Sequence, residues 1–278
     1  MYYLDSIQLP QGDPSRFPFS IPAFQSLDQL RFEKAITVFV GENGSGKSTL
    51  LKALALKINL PVIGSLELEL DETLNNFRSF SDGIKSQWKN KAYRGFFFRA
   101  EDYFGFVKRL RSIDQELKGD IVDFEKNLSG YGLKVAVGAM HGQKDALQRK
   151  YGDLTQVSHG EGFLKVLQSR IQPEGIYLID EPEAALSPQR QLALFSLIKN
   201  LAVNEGCQFI IATHSPILMC LPDAQIFQFE DQVKKVAVED TEHFTIMKSF
   251  LNCFPSTIRK NFGKEQRPPK MIDSRITQ

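Results

Sequence analysis

The chain has few of the features that commit a protein to a special environment. Three cysteines in 278 residues, Cys207, Cys220 and Cys253, have neither an even count nor C-x-x-C spacing. That argues against a disulfide framework or a structural zinc site and leaves them as small apolar packers. An excess of one charge is also lacking: 34 Lys and Arg stand against 33 Asp and Glu, so any contact with nucleic acid or an anionic surface needs a local patch. No apolar run approaches the roughly 20 residues of a membrane-spanning helix. The opening Met1-Tyr2-Tyr3-Leu4-Asp5 lacks the basic-then-apolar order of a secretory signal, and a cytoplasmic location is expected. Tryptophan occurs once, and no internal repeat or low-complexity tract is visible. What the chain does have is 42% hydrophobic residues, 22 of the total being Phe, enough for one large core or two modest ones.

Strand and helix signals alternate along most of the length. Tyr2 to Leu9 and Ser20 to Leu27 contain short alternating apolar stretches, separated by Pro10, Gly12, Pro14 and Pro18, and are expected as antiparallel strands. Ala35 to Val40 is a compact β-branched run of the kind buried on both faces, and good helix formers follow from Ser48 to Leu56. Residues 71–150 are long, charged and helix-periodic at first, with an unassigned stretch from Leu133 to Tyr151; they are expected to form an inserted helical subdomain between core segments 1–70 and 151–278. Beyond it come a helix from about Gly160 to Ile171, a strand Gly175 to Ile179, a helix from about Pro188 to Val203, and strands at 208–213 and 226–229. The expected fold is α/β with a mainly parallel sheet, an N-terminal antiparallel β subdomain and the helical insertion.

The strongest motif is Gly41-Glu42-Asn43-Gly44-Ser45-Gly46-Lys47-Ser48, which matches G-x-x-x-x-G-K-[ST] between a buried strand and a helix. Such a loop folds into a nest of N–H groups for phosphate oxygens, reinforced by the helix N-terminus through Thr49. Lys47 would bridge the outer phosphates and Ser48 would ligate Mg²⁺. Ile176 to Ile179 then delivers Asp180 and Glu181 to a strand end. These acids either cap the following helix or serve as metal ligand and as base for an attacking water. His214 closes a third strand, as a structural hydrogen-bonding residue or as a reporter of the terminal phosphate. Ser158-His159-Gly160-Glu161 reads as a capping box or as an anion-binding helix start.

Taken in order, these elements resemble the ABC-type ATPase superfamily, and within it the small soluble bacterial AAA-like ATPases related to SMC proteins. Ser158-His159-Gly160-Glu161 is similar to a degenerate L-S-G-G-Q signature. The resemblance implies a P-loop fold, ATP and Mg²⁺ as ligands, ATP hydrolysis, and a head-to-tail homodimer. In that pair Ser158 and Gly160 of one copy face the phosphate held by the other. It also implies catalytic roles for Lys47, Glu181 and His214, with Ser48 and Asp180 on the metal.

Departures from the transporter pattern point to the subclass. Gly95-Phe96-Phe97-Phe98-Arg99-Ala100-Glu101 has no coupling glutamine. With Leu60 to Gly64 and Asp71 to Leu74 it resembles the soluble group instead. Glu101 is either a water-mediated metal ligand with Arg99 at phosphate, or part of a solvated helix start. Ser187 stands where that family usually has aspartate. Phe17 or Phe19, beside Arg16, stands where transporter subunits stack adenine, or else lies in the core. Lys85, Lys89, Lys91, Arg94, Lys108, Arg109 and Arg111 give the inserted segment a basic character, compatible with nucleic acid or a co-encoded effector protein as partner, or with a solvated face. A membrane permease is the alternative partner.

Overall fold

The computed structural model describes residues 2–63, 74–151 and 159–261. In chain order the elements are β1 (Leu4–Gln8), α1 (Pro22–Gln25), β2 (Gln29–Arg31), β3 (Ile36–Gly41), α2 (Lys47–Lys57), β4 (Val62–Ile63), α3 (Leu74–Gly83), β5 (Lys85–Trp88) and β6 (Gly95–Arg99). There follow α4 (Ala100–Asn127), α5 (Gly130–Tyr151), α6 (His159–Arg170), β7 (Ile176–Asp180), α7 (Pro188–Asn204), β8 (Gln208–Ala212), α8 (Pro216–Met219), β9 (Gln225–Phe229), β10 (Val233–Val236) and α9 (Glu242–Asn261). A sheet of order β10-β9-β3-β8-β7-β6-β4 is parallel except for β10. A smaller antiparallel sheet has the order β2-β1-β5.

Both faces of the large sheet are covered, which is why its strands read as unbroken apolar runs. Ile36, Val38 and Val40 of β3, Tyr177 and Ile179 of β7, and Phe209 and Ile211 of β8 pack into one core with Phe163, Val166 and Leu167 of α6 and Leu194 and Ile198 of α7. The alternate residues Phe39, Leu178 and Ile210 enter a second core with α2, α1 and the small sheet. Two buried glutamines join the small sheet to the large one. Gln208 Oε1 accepts from the N–H groups of Tyr3 and Leu4 at 2.8 and 2.9 Å, while its Nε2 donates to Leu4 O at 3.0 Å. Gln225 does the same for Glu33 N and Arg31 O, both at 2.8 Å. Replacing Gln208 by Leu strands three buried backbone groups, and a loss of about 3 kcal/mol is expected from urea unfolding midpoints.

The expected α/β fold with its parallel sheet and small antiparallel sheet is what forms, with three local corrections. Ser20 to Leu27 holds α1 rather than a strand: Pro22 in the first turn favours a helical start, and the strand lies later, at β2. The stretch 71–150 contains two strands as well as helices. β5 is polar and pairs with β1, so no apolar alternation marks it, whereas β6 is an aromatic run inside the large sheet beside β7. The run from Leu133 to Val137 lies in α5, where the half-buried positions Leu133, Ala136, Val137, Met140 and Lys144 recur every three or four residues. Among the described residues no helix is long and apolar enough to cross a membrane.

Candidate active site

The carboxyl ends of β3, β7 and β8 lie side by side, and the chemistry-bearing residues sit just beyond them. β3 ends at Gly41, whose φ of +139° brings its backbone against Phe229 O, where a Cβ would approach to 2.2 Å. The loop then turns through Gly44 at φ +82° and Gly46 at φ +103°. A Cβ on Gly46 would meet Ile21 and Phe24 at 2.9 to 3.0 Å, while at Gly44 it would meet nothing within 4 Å. The loop is thus pressed onto α1 on one side and open on the other, with Asn43 and Gly44 exposed. α2 starts from Gly46 without a side-chain cap, so the first-turn N–H groups of Lys47, Ser48 and Thr49 have no intrahelical acceptor. Their shared direction and the helix dipole make an anion cradle.

Lys47 is 3% exposed. Its Nζ donates to Gly41 O at 2.7 Å and Glu42 O at 2.8 Å, with Ser45 Oγ 3.5 Å away. Burial lowers its pKa, and Glu181, Asp180, Glu42 and Glu183 oppose that shift. Ser48 Oγ donates to Asp180 Oδ1 at 2.8 Å, and Arg99 Nε lies 3.6 Å from Asp180 Oδ2. Glu181 is held with φ 47° and ψ 50°, a left-handed conformation rare for a residue with a side chain. Its N–H bonds Ala212 O at 2.9 Å, and Pro182 follows in a single 3-10 turn, Pro182–Ala185. His214 Nε2 stands 3.7 Å from Glu181 Oε1 and, although buried, has no hydrogen-bond partner among the described residues. Burial first, then Lys47, lowers the His214 pKa, which favours the neutral imidazole.

Ser48 and Asp180 fit Mg²⁺: both offer hard oxygen donors, and the carboxylate is buried. Burial pushes the Asp180 pKa up to about 6 from 3.8, against the opposing effects of the Ser48 hydrogen bond and Arg99. Between those two values the folded protein binds more protons than the unfolded chain, so this group's contribution to stability falls as pH rises through the window. The difference amounts to about 3 kcal/mol above pH 6, and a bound cation removes it. Urea unfolding of wild type and Asp180→Asn between pH 4 and 7 is expected to show this as a step present only in wild type.

The family model described as AAA ATPase domain matches residues 55–219, more than half of the chain, and one described as AAA domain matches residues 20–57 across the glycine loop. The chain belongs to the AAA ATPase domain family. Its relatives include an uncharacterized ABC transporter ATP-binding protein of Methanocaldococcus jannaschii, 27% identical over 203 residues. That match covers 69% of this chain but only 34% of the relative. A second relative is the lipoprotein-releasing system ATP-binding protein of Ehrlichia chaffeensis, 29% identical over 185 residues, covering 65% of this chain and 72% of that protein. Among solved structures, the Smc head domain of Pyrococcus furiosus bound to the C-terminal domain of ScpA matches with a TM-score of 0.48 and 14% identity, over 90% of this chain and 100% of that one.

Within this AAA ATPase, the cradle residues Gly41, Asn43, Gly44, Ser45, Gly46, Lys47, Ser48 and Thr49 lie together with Asp180, Glu181 and His214. Glu101 does not join them. Its carboxylate is exposed and bonded to Arg99, which stands between it and Asp180. Ser158 lies outside the described residues, and Gly160 is in the first turn of α6. Glu161 pairs with Lys165 at 3.0 Å and approaches Arg190 to 3.9 Å. Phe17 and Phe19 pack edge-on against Phe77 and Phe80. Sequence reasoning missed Glu183, whose carboxylate accepts from Thr213 Oγ1 at 2.7 Å and from the His214 N–H, locking the histidine loop to the Glu181 turn. The cue was present as a third acid in Asp180-Glu181-Pro182-Glu183.

Proposed function

We propose that this chain hydrolyses Mg-ATP as a head-to-tail homodimer, Ser158 and Gly160 of one copy closing on the terminal phosphate held by the other. The observation that carries the reading is the convergence of Lys47, the Ser48–Asp180 pair, Glu181 and the unpartnered His214 Nε2 beyond three adjacent strands. The loop N–H groups and Lys47 bind the phosphates, and Ser48 and Asp180 would hold the metal. Mg²⁺ at these two ligands would neutralise charge developing on the outer phosphates. Glu181 orients the attacking water and takes its proton, and His214 Nε2–H donates to the terminal phosphate. Since each copy lacks the opposite wall, hydrolysis would require pairing. Turnover per molecule rising with protein concentration tests this; a rate independent of dilution contradicts it.

The inserted unit is narrower in this reading than residues 71–150. β5 and β6 sit in the core sheets, which leaves the antiparallel pair α4 and α5 as the arm that meets a partner. The basic run divides accordingly: Lys85, Lys89, Lys91 and Arg94 belong to the β5–β6 region, with Lys89 bonding Tyr2 Oη and Arg94 bonding Pro173 O. Lys108 and Arg109 remain exposed on α4. A nucleic acid held there would raise turnover in a salt-sensitive way. The transporter names of the relatives favour a second reading, a motor subunit docked on a permease. Stimulation by DNA or RNA that fades between 50 and 200 mM salt separates the two.

A further inference from the structure

Beyond the phosphate machinery, the start of α9 reaches back to the site. His243 lies in its first turn, fixed by Thr241, which is buried and donates through Oγ1 to Val238 O at 2.7 Å while accepting the Thr245 N–H through its backbone oxygen at 3.0 Å. The His243 ring lies 5.1 Å from the His214 ring, centroid to centroid, and its Nε2 is 3.2 Å from His214 Nδ1. The same His243 nitrogen stands 3.9 Å from Glu42 Oε1 on the glycine loop. A chain of polar groups therefore runs Glu42, His243, His214, Glu181, from one side of the phosphate site to the other.

A neutral imidazole carries a single N–H, so the partner of Nδ1 decides which nitrogen keeps it. If His214 donated from Nδ1 to His243, its Nε2 would turn a lone pair toward the phosphate, which repels an anion. If His243 Nε2–H donates instead, His214 Nδ1 is an acceptor and Nε2 keeps its proton, aimed at the site. Glu42 favours the second arrangement, because its carboxylate attracts a proton on His243 Nε2. We propose that His243 is a positioning residue that holds His214 in the Nε2–H tautomer and so prepares it to donate to the terminal phosphate, a role that rests on the ATPase reading above. α9 is then wired to the phosphate sensor, although no motif of the nucleotide loop or the acidic strand includes it.

The test compares His243→Gln and His243→Phe in the full chain, with steady-state kinetics and ¹⁵N NMR of the imidazoles, of which the sequence has only four. Glutamine places an amide N–H near the position of Nε2, whereas phenylalanine fills the space without a donor. His243→Phe is expected to lower kcat about tenfold with KM for ATP changed less than about twofold. His243→Gln should keep at least about half of wild-type kcat. In wild type the His214 signal should report protonation at Nε2, and that preference should be lost in His243→Phe. Wild-type kcat in His243→Phe, no rescue by Gln, or His214 protonated at Nδ1 in wild type each overturns the inference. If wild type hydrolyses no ATP, the functional reading fails, and the NMR tautomer decides the histidine pair by itself.

Discussion

Glu181→Gln is expected to cut ATP turnover by about a hundred- to a thousandfold while leaving nucleotide affinity intact. The substitution keeps the shape of the side chain and removes only its ability to take a proton. Its backbone is held independently of the carboxylate, by the hydrogen bond to Ala212 O and by Pro182 at the next position, so the left-handed turn survives. The carboxylate is partly exposed beside His214 Nε2, where a water approaching the terminal phosphate can be reached. With hydrolysis blocked and binding retained, the nucleotide-bound pair should accumulate. Light scattering under saturating Mg-ATP is expected to give twice the monomer mass.

Lys47→Ala is expected to weaken ATP binding by at least about a hundredfold, measured by calorimetry. Lys47 Nζ is buried against Gly41 O and Glu42 O, at the centre of the cradle. Once desolvated it meets phosphate charge in a poorly screened setting. Alanine removes that counterion and leaves Gly41 O and Glu42 O without their donor. The helix N-terminus alone supplies a much smaller attraction, about 1 kcal/mol.

The shape of the glycine loop was legible in the sequence because it depends on local backbone: Gly44 and Gly46 adopt positive φ within a few residues of Lys47. Asp180 was legible for a related reason, since an apolar strand ending in acids places them at the ligand-binding edge of a parallel sheet. Glu183 and His243 were not legible. Their meaning comes from contacts with His214 across about 30 residues of chain, and no periodicity encodes a tertiary hydrogen bond. β5 escaped for a different reason: as a polar edge strand beside β1 it buries too little to show alternation. Arg99 contacts both Glu101 and Asp180, an arrangement that spacing alone does not reveal.

Complementation between two inactive variants tests the shared site most directly. In the proposed dimer Lys47→Ala would disable the phosphate cradle of its own copy, and Ser158→Arg would block the surface that its copy is proposed to lend to the other. In an equal mixture half the pairs are mixed and each mixed pair holds one intact site, so about a quarter of wild-type turnover should return. Activity no greater than the sum of the two variants measured separately would contradict a site built from two copies.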